Sequence, residues 1–108
     1  MPQAVRAFPT YYSPIGKQIL TVSSSAVGFT LPTSPQCRAV FFSVEYVTAT
    51  TDTLRFWVDG SIPTSTEGML LFNGDTVEIT NVDAINNFKV IRVTNDMKIM
   101  ITYYGGGV

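Results

Sequence analysis

From Lys17 to Tyr104 the chain alternates apolar and polar residues with a period of two, in short runs that turn-forming residues separate. A period of two sends successive side chains to opposite faces of an extended strand, whereas a helix needs a period near 3.6, so the pattern commits the chain to β-structure. Gln18 to Ser23 sets Leu20 and Val22 on one face, and Ser23-Ser24-Ser25 interrupts the run before Val27, Phe29 and Leu31 alternate up to Pro32. After the loop Pro32-Thr33-Ser34-Pro35 comes the longest run, Arg38 to Thr48, with Val40, Phe42, Val44 and Tyr46 on one side and Phe41, Ser43, Glu45 and Val47 on the other. Its start is apolar on both faces, which reads as a strand whose first half lies under a neighbouring segment.

Beyond the polar turn Thr48 to Asp52, Leu54, Phe56 and Val58 alternate with Arg55, Trp57 and Asp59 as far as Asp59-Gly60. Pro63 makes Ser61 to Glu67 irregular. Met69 to Phe72, Asn73-Gly74-Asp75 and the run holding Val77 and Ile79 form a hairpin pattern, and Asn81 to Asn87 has room for one helical turn. Phe88 to Val93, the turn Asn95-Asp96 and Met97 to Tyr104 form a second hairpin. These eight candidate strands describe an all-β fold, an antiparallel two-sheet β-sandwich. Periodicity alone leaves its connections open between jelly-roll and immunoglobulin-like. The expected organisation is an N-terminal arm over residues 1–16, where Pro2, Pro9 and Pro14 interrupt the aromatic residues, a sandwich domain over 17–104, and a flexible Gly-rich end over 105–108.

Composition narrows the function. Charged residues make up 14% of the chain and its net charge is −1, so the polar surface falls largely to fourteen Thr and eight Ser. The seven basic residues are scattered, which gives no electrostatic footprint for nucleic acid. A charge-poor surface costs little to desolvate against a partner, as in a permanent assembly. No apolar run reaches the length of a signal peptide or a membrane span, so a soluble protein with no membrane partner is expected.

Residues suited to chemistry are few. The chain has no His, and its one cysteine, Cys37, reads as a small buried hydrophobe. Asp52, Asp59, Asp75 and Asp96 stand at turns, where a short carboxylate caps backbone N–H groups. Asn73, Asp75, Asn81 and Asp83 cluster in sequence, but their spacing matches no calcium loop. We therefore expect no enzymatic activity, no cofactor and no metal. The aromatic residues carry more information. Trp57 points away from Leu54, Phe56 and Val58 and shares its face with Arg55 and Asp59, and an outward Trp beside an Arg is a composition typical of interface hot spots. Tyr11 with Tyr12, and Tyr103 with Tyr104, offer apolar rings with polar tips near the two chain ends. Phe8, Tyr11, Tyr12, Arg55, Trp57, Tyr103 and Tyr104 are thus the expected protein-contact residues.

Four stretches carry a family resemblance: Asp59-Gly60-Ser61-Ile62-Pro63-Thr64; Glu67-Gly68-Met69-Leu70-Leu71 with Asn73-Gly74-Asp75; Asn87-Phe88-Lys89-Val90-Ile91-Arg92-Val93; and Ile99-Met100-Ile101-Thr102-Tyr103-Tyr104. Between Lys17 and Tyr104 the chain resembles a class of small β-sandwich proteins of tailed bacteriophage particles. The resemblance implies a non-enzymatic virion component, assembled in the host cytoplasm. By that implication it is a capsid decoration or cement protein, forms homo-oligomers, trimers by analogy, and binds the major capsid protein or another virion protein. Tail, collar and head-fibre parts use similar sandwiches, and a carbohydrate-binding or adhesion module is a more distant alternative. The arm before Gly16 is not part of the shared pattern.

Overall fold

The computed structural model describes residues 12–106. Seven strands and one short helix follow in chain order: β1 (Ser13–Val22), β2 (Cys37–Tyr46), β3 (Thr53–Trp57), β4 (Met69–Phe72), β5 (Thr76–Ile79), α1 (Val82–Asn87), β6 (Lys89–Arg92) and β7 (Met97–Gly105). They form a four-stranded sheet in the order β1-β7-β2-β5 and a three-stranded sheet in the order β4-β3-β6, with neighbouring strands antiparallel. The expected β-sandwich is the observed fold.

The run from Val27 to Leu31 is not a full strand. Val27 exchanges both backbone hydrogen bonds with Val90, at 3.0 and 2.8 Å, but the N–H of Thr30 then goes to the side chain of Gln18 at 3.1 Å. Pro32 follows. The alternation still places Phe29 and Leu31 against the core, so this segment closes the side of the sandwich between β1 and β6 without a ladder. Counted as a one-residue strand, it completes a nested set of pairs: β1 with β7, Val27 with β6, β2 with β5, and β3 with β4. That is the pairing of a long hairpin rolled into two sheets, the jelly-roll topology.

The core lies between the sheets. Val40, Phe42 and Val44 of β2 and Ile99, Ile101 and Tyr103 of β7 face Leu54 and Phe56 of β3 and Val90 of β6. Phe88 sits at its centre, 1% exposed, with its ring stacked on Phe29 at 4.3 Å and tilted against Phe42 at 5.6 Å and Phe56 at 5.7 Å. Phe88 reaches this place because α1 stops one residue earlier. Asn81 caps the helix by accepting the Ala84 N–H at 3.0 Å, Ile85 anchors it in the core, and the chain turns extended at Phe88.

Two boundaries differ from the expected organisation. Strand β1 begins at Ser13, so Ser13 to Gly16 belong to the sheet, with a bulge between Pro14 and Gly16 that accommodates the proline on an edge strand. Gly105 pairs with both Ser13 and Cys37 as the last residue of β7, and a Cβ there would meet the carbonyl oxygen of Gln36 at 2.3 Å. Close backbone passage, not flexibility, requires that glycine. Residues 1–11 and 107–108 lie outside the described residues.

Removing the ring that joins both sheets should be costly. Phe88→Ala is expected to lower the free energy of unfolding by about 3–5 kcal/mol in urea titrations, the range for a buried phenylalanine that leaves a cavity. A loss below about 1 kcal/mol would contradict the central role given to Phe88.

Candidate interaction surfaces

Alternation assigns each strand of the three-stranded sheet an inner and an outer set of side chains. Leu54 and Leu71 are paired and buried, so their neighbours point outward, and the register sets Arg55 between Leu70 and Ile91. One row away Thr53 stands opposite Phe72, and Val93 continues that row by donating its N–H to the Thr53 carbonyl at 3.1 Å. Trp57 pairs with Lys89 at the other end. The outer face therefore combines Trp57, Leu70, Phe72, Ile91 and Val93 around the stem of Arg55. Leu70 is 42% exposed and Phe72 51%, whereas Trp57, Ile91 and Val93 are half-buried by their neighbours.

Arg55 has an internal task on this face. Its guanidinium donates to the carbonyls of Ser65 at 3.2 Å and Gly68 at 2.7 Å, which fastens the β3–β4 loop to the sheet. The loop passes so close that a Cβ on Gly68, whose φ is +136°, would meet the Arg55 Cβ at 2.9 Å. The aliphatic stem of Arg55 remains in the apolar face while the charged head is turned to the loop.

The outer face of the four-stranded sheet is built differently. Ala39, Phe41 and Tyr104 form a second apolar cluster there, at 0%, 8% and 6% exposure, and Tyr12 packs against it. Tyr12 and Tyr104, two of the expected contact residues, thus belong to one cluster on this face. Tyr103 does not join them. It shares its parity with Met97, Ile99 and Ile101, lies in the main core at 1% exposure, and donates its hydroxyl to Gln18. That parity was readable in the sequence. Phe8 and Tyr11 lie outside the described residues. The residues that sequence reasoning missed are Leu70, Phe72, Ile91 and Val93, because an outward apolar residue looks like a core residue until the register is known.

Side chains suited to chemistry hold the fold together instead. Asp52 accepts from the Ala49 N–H and from the Asn95 side chain, both at 3.1 Å, and ties the β2–β3 turn to the β6–β7 turn. Asp59 accepts from the Ser61 N–H at 3.0 Å, and Asp75 from the Phe72 N–H at 2.7 Å, as turn caps. Asp96 pairs with Arg92 across its turn. Asn73 accepts the Tyr46 N–H at 3.1 Å. No group of three acidic, His or Cys side chains able to hold a metal occurs among the described residues. Burial pushes the Cys37 thiol above its usual ionisation range, and its S–H points to the Ala39 carbonyl oxygen at 3.3 Å, so Cys37 is a poor nucleophile at neutral pH. No helix among the described residues is long and apolar enough to cross a membrane.

Comparison of the chain with protein-family models, with curated proteins and with solved structures yields no match.

Burial, with the charge that a Cys37 thiolate would place nearby as a smaller contribution, pushes the Tyr103 hydroxyl from 10.0 up to about 12. The folded chain then keeps this proton in a pH range where the unfolded chain has lost it. Tyr103 thus leaves stability unchanged below about pH 10 and lowers it as the pH rises toward about 12. Tyr103→Phe removes the titrating group, so its Tm should fall less steeply than the wild-type Tm over that range. Parallel curves would contradict the assignment.

Proposed function

We propose that this chain is a non-enzymatic structural protein of a tailed-phage particle, a capsid decoration or cement protein that binds the shell through the outer face of its three-stranded sheet. The observation that carries this reading is that face itself. Five apolar side chains form a contiguous patch on a rigid sheet, and exposed apolar patches of this kind mark contact sites. Trp57 within the patch is the residue type most often found at the energetic centre of an interface.

Charge points to the kind of partner. The outward residues paired across β3, β4 and β6 include Lys89 beside Trp57 and no carboxylate, so a second copy meeting those rows face to face would set like charges together. An apolar surface with acidic groups opposite Lys89 is the better complement. That favours a different protein, such as the major capsid protein, for this face, and leaves contacts within a trimer to other surfaces such as the sheet edges. The resemblance of the β3–β4 loop, β4, β6 and β7 stretches to phage sandwich proteins supports the same reading, and so does a jelly roll with Asp52, Asp59, Asp75 and Asp96 committed to turns. A tail, collar or head-fibre part would use the same face. The carbohydrate-binding alternative is weaker, because the Asp59 that would accompany Trp57 is held in its own turn by the Ser61 N–H.

Two measurements test the proposal together. In purified particles from the source, copy number near one per shell subunit is expected, and a handful of copies would move the role to collar, tail or fibre. In pelleting assays, Trp57→Ala and Phe72→Asp should each lower attachment to bare particles about tenfold or more, the effect of losing a hot-spot contact. Phe72→Asp, at an exposed site, should change stability by only about 0.5 kcal/mol. Undiminished attachment of both variants would refute this face as the binding surface, and absence from particles would refute the virion role.

A further inference from the structure

Of the five asparagines in the chain, Asn73 alone is followed by glycine. The β4–β5 turn needs that glycine, whose φ is +89°. The pair brings a chemistry of its own, because the backbone nitrogen after an asparagine can attack the side-chain amide, and a residue without a Cβ puts nothing in the way. Asn73 is exposed, so water and hydroxide reach it. Hydrogen bonds, not burial, hold the two reacting groups. The Gly74 N–H donates to the Val44 carbonyl at 2.9 Å, and the Asn73 side-chain oxygen accepts the Tyr46 N–H at 3.1 Å. The Val44 N–H returns to the Asp75 carbonyl at 2.9 Å, so the turn is fixed to the end of β2. Phe72 closes it from the other side: its carbonyl accepts the Asp75 N–H at 3.0 Å and its N–H goes to the Asp75 carboxylate at 2.7 Å. The Tyr46 bond taken alone would favour attack, since a donor on the carbonyl oxygen stabilises the charge that develops there. The Gly74 bond decides, because ring closure needs that nitrogen free of its proton and of Val44.

We propose that Asn73-Gly74 is a latent deamidation site, held inert in the folded chain by the Gly74–Val44 hydrogen bond and released when the β4–β5 turn lifts off the end of β2. In the released turn hydroxide takes the Gly74 amide proton, and the nitrogen forms a bond to Cγ of Asn73. The bond from Cγ to the side-chain nitrogen breaks, and ammonia leaves with a proton returned by water. A cyclic imide remains. Water then opens it at either carbonyl, which leaves a carboxylate on the side chain, as aspartate, or on the main chain, as isoaspartate. In sum an amide and water become a carboxylate and ammonium. While the imide lasts, residue 74 has no N–H and cannot rebind Val44. Isoaspartate adds one main-chain atom to the turn that carries the chain from the three-stranded sheet to the four-stranded sheet. Each conversion is a permanent record of an opening of that turn, whatever the face beside Phe72 binds.

Peptide mapping by mass spectrometry of the full-length chain tests this, with one sample folded and one unfolded in guanidinium, both incubated at the same mildly alkaline pH. Hydrogen exchange followed by NMR gives the protection of the Gly74 N–H in the folded chain. The unfolded chain should accumulate aspartate and isoaspartate at position 73. The folded chain should deamidate there at least about tenfold more slowly, and the slowing should match the Gly74 protection factor within about threefold, because both reactions pass through the same open turn. Equal deamidation rates in the folded and unfolded chains overturn the proposal. Slow deamidation beside a Gly74 N–H that exchanges as freely as in the unfolded chain also overturns it, by removing the hydrogen bond as the cause.

Discussion

The stack of Phe88 on Phe29, with Phe42, Phe56 and Tyr103 around it, is the interaction on which the rest of the molecule depends. Phe42 and Tyr103 come from the four-stranded sheet, Phe56 from the three-stranded sheet, and Phe29 from the segment that closes the side between them. Each ring pair contributes about 1 kcal/mol beyond the area it buries. The Arg92–Asp96 pair, with side chains 34% and 43% exposed, lies in solvent, where such a pair is worth about 0–1 kcal/mol. In a chain with 14% charged residues and one cysteine, packing of this kind has to carry the stability. It does so between the sheets, while the outward side chains include both structural ones, such as Arg55 and the Ala39, Phe41 and Tyr104 cluster, and exposed apolar ones.

That division is the basis of the functional reading. Inner parity makes the core and outer parity makes the surface, and a one-residue slip in pairing would exchange them. The three-stranded sheet has a short register, four paired residues on each side of β3, yet it is pinned at several points. Arg55 clamps the loop that precedes β4, and Asp52 joins the turn that precedes β3 to the turn that follows β6. A face held this rigidly meets a partner with little ordering cost, which is what an apolar patch needs to contribute to affinity. Leu70 and Phe72 stand exposed on this face beside the half-buried Trp57, Ile91 and Val93, which is why the proposed contact is placed here.

Much of the fold was legible because it rests on local chemistry. Asp59-Gly60, Asn73-Gly74-Asp75 and Asn95-Asp96 mark turns through backbone preferences that act over a few residues, and the helical turn between Asn81 and Asn87 follows from a cap of the same kind. Jelly-roll connectivity was not legible, since the pairing of β1 with β7 joins opposite ends of the chain and no local signal encodes it. The same gap explains the surfaces. Trp57 stood out because its neighbours in sequence face the other way, but Leu70 and Ile91 became surface residues only when the register set them beside Arg55. Tyr103 went the other way: its place near the chain end suggested a contact, while its parity with Ile99 and Ile101 put it in the core. Gly105 read as part of a loose end, and only the passage of Gln36 beside it shows why a side chain cannot stand there.

Hydrogen–deuterium exchange, compared between the free protein and the protein in its purified assembly, tests the central claim most directly. If the outer face of the three-stranded sheet is the contact surface, protection gained on assembly will concentrate in β3, β4, β6 and the β3–β4 loop, with the central strands β2 and β7 equally protected in both states. Protection gained elsewhere, with β3, β4 and β6 unchanged, would contradict the account.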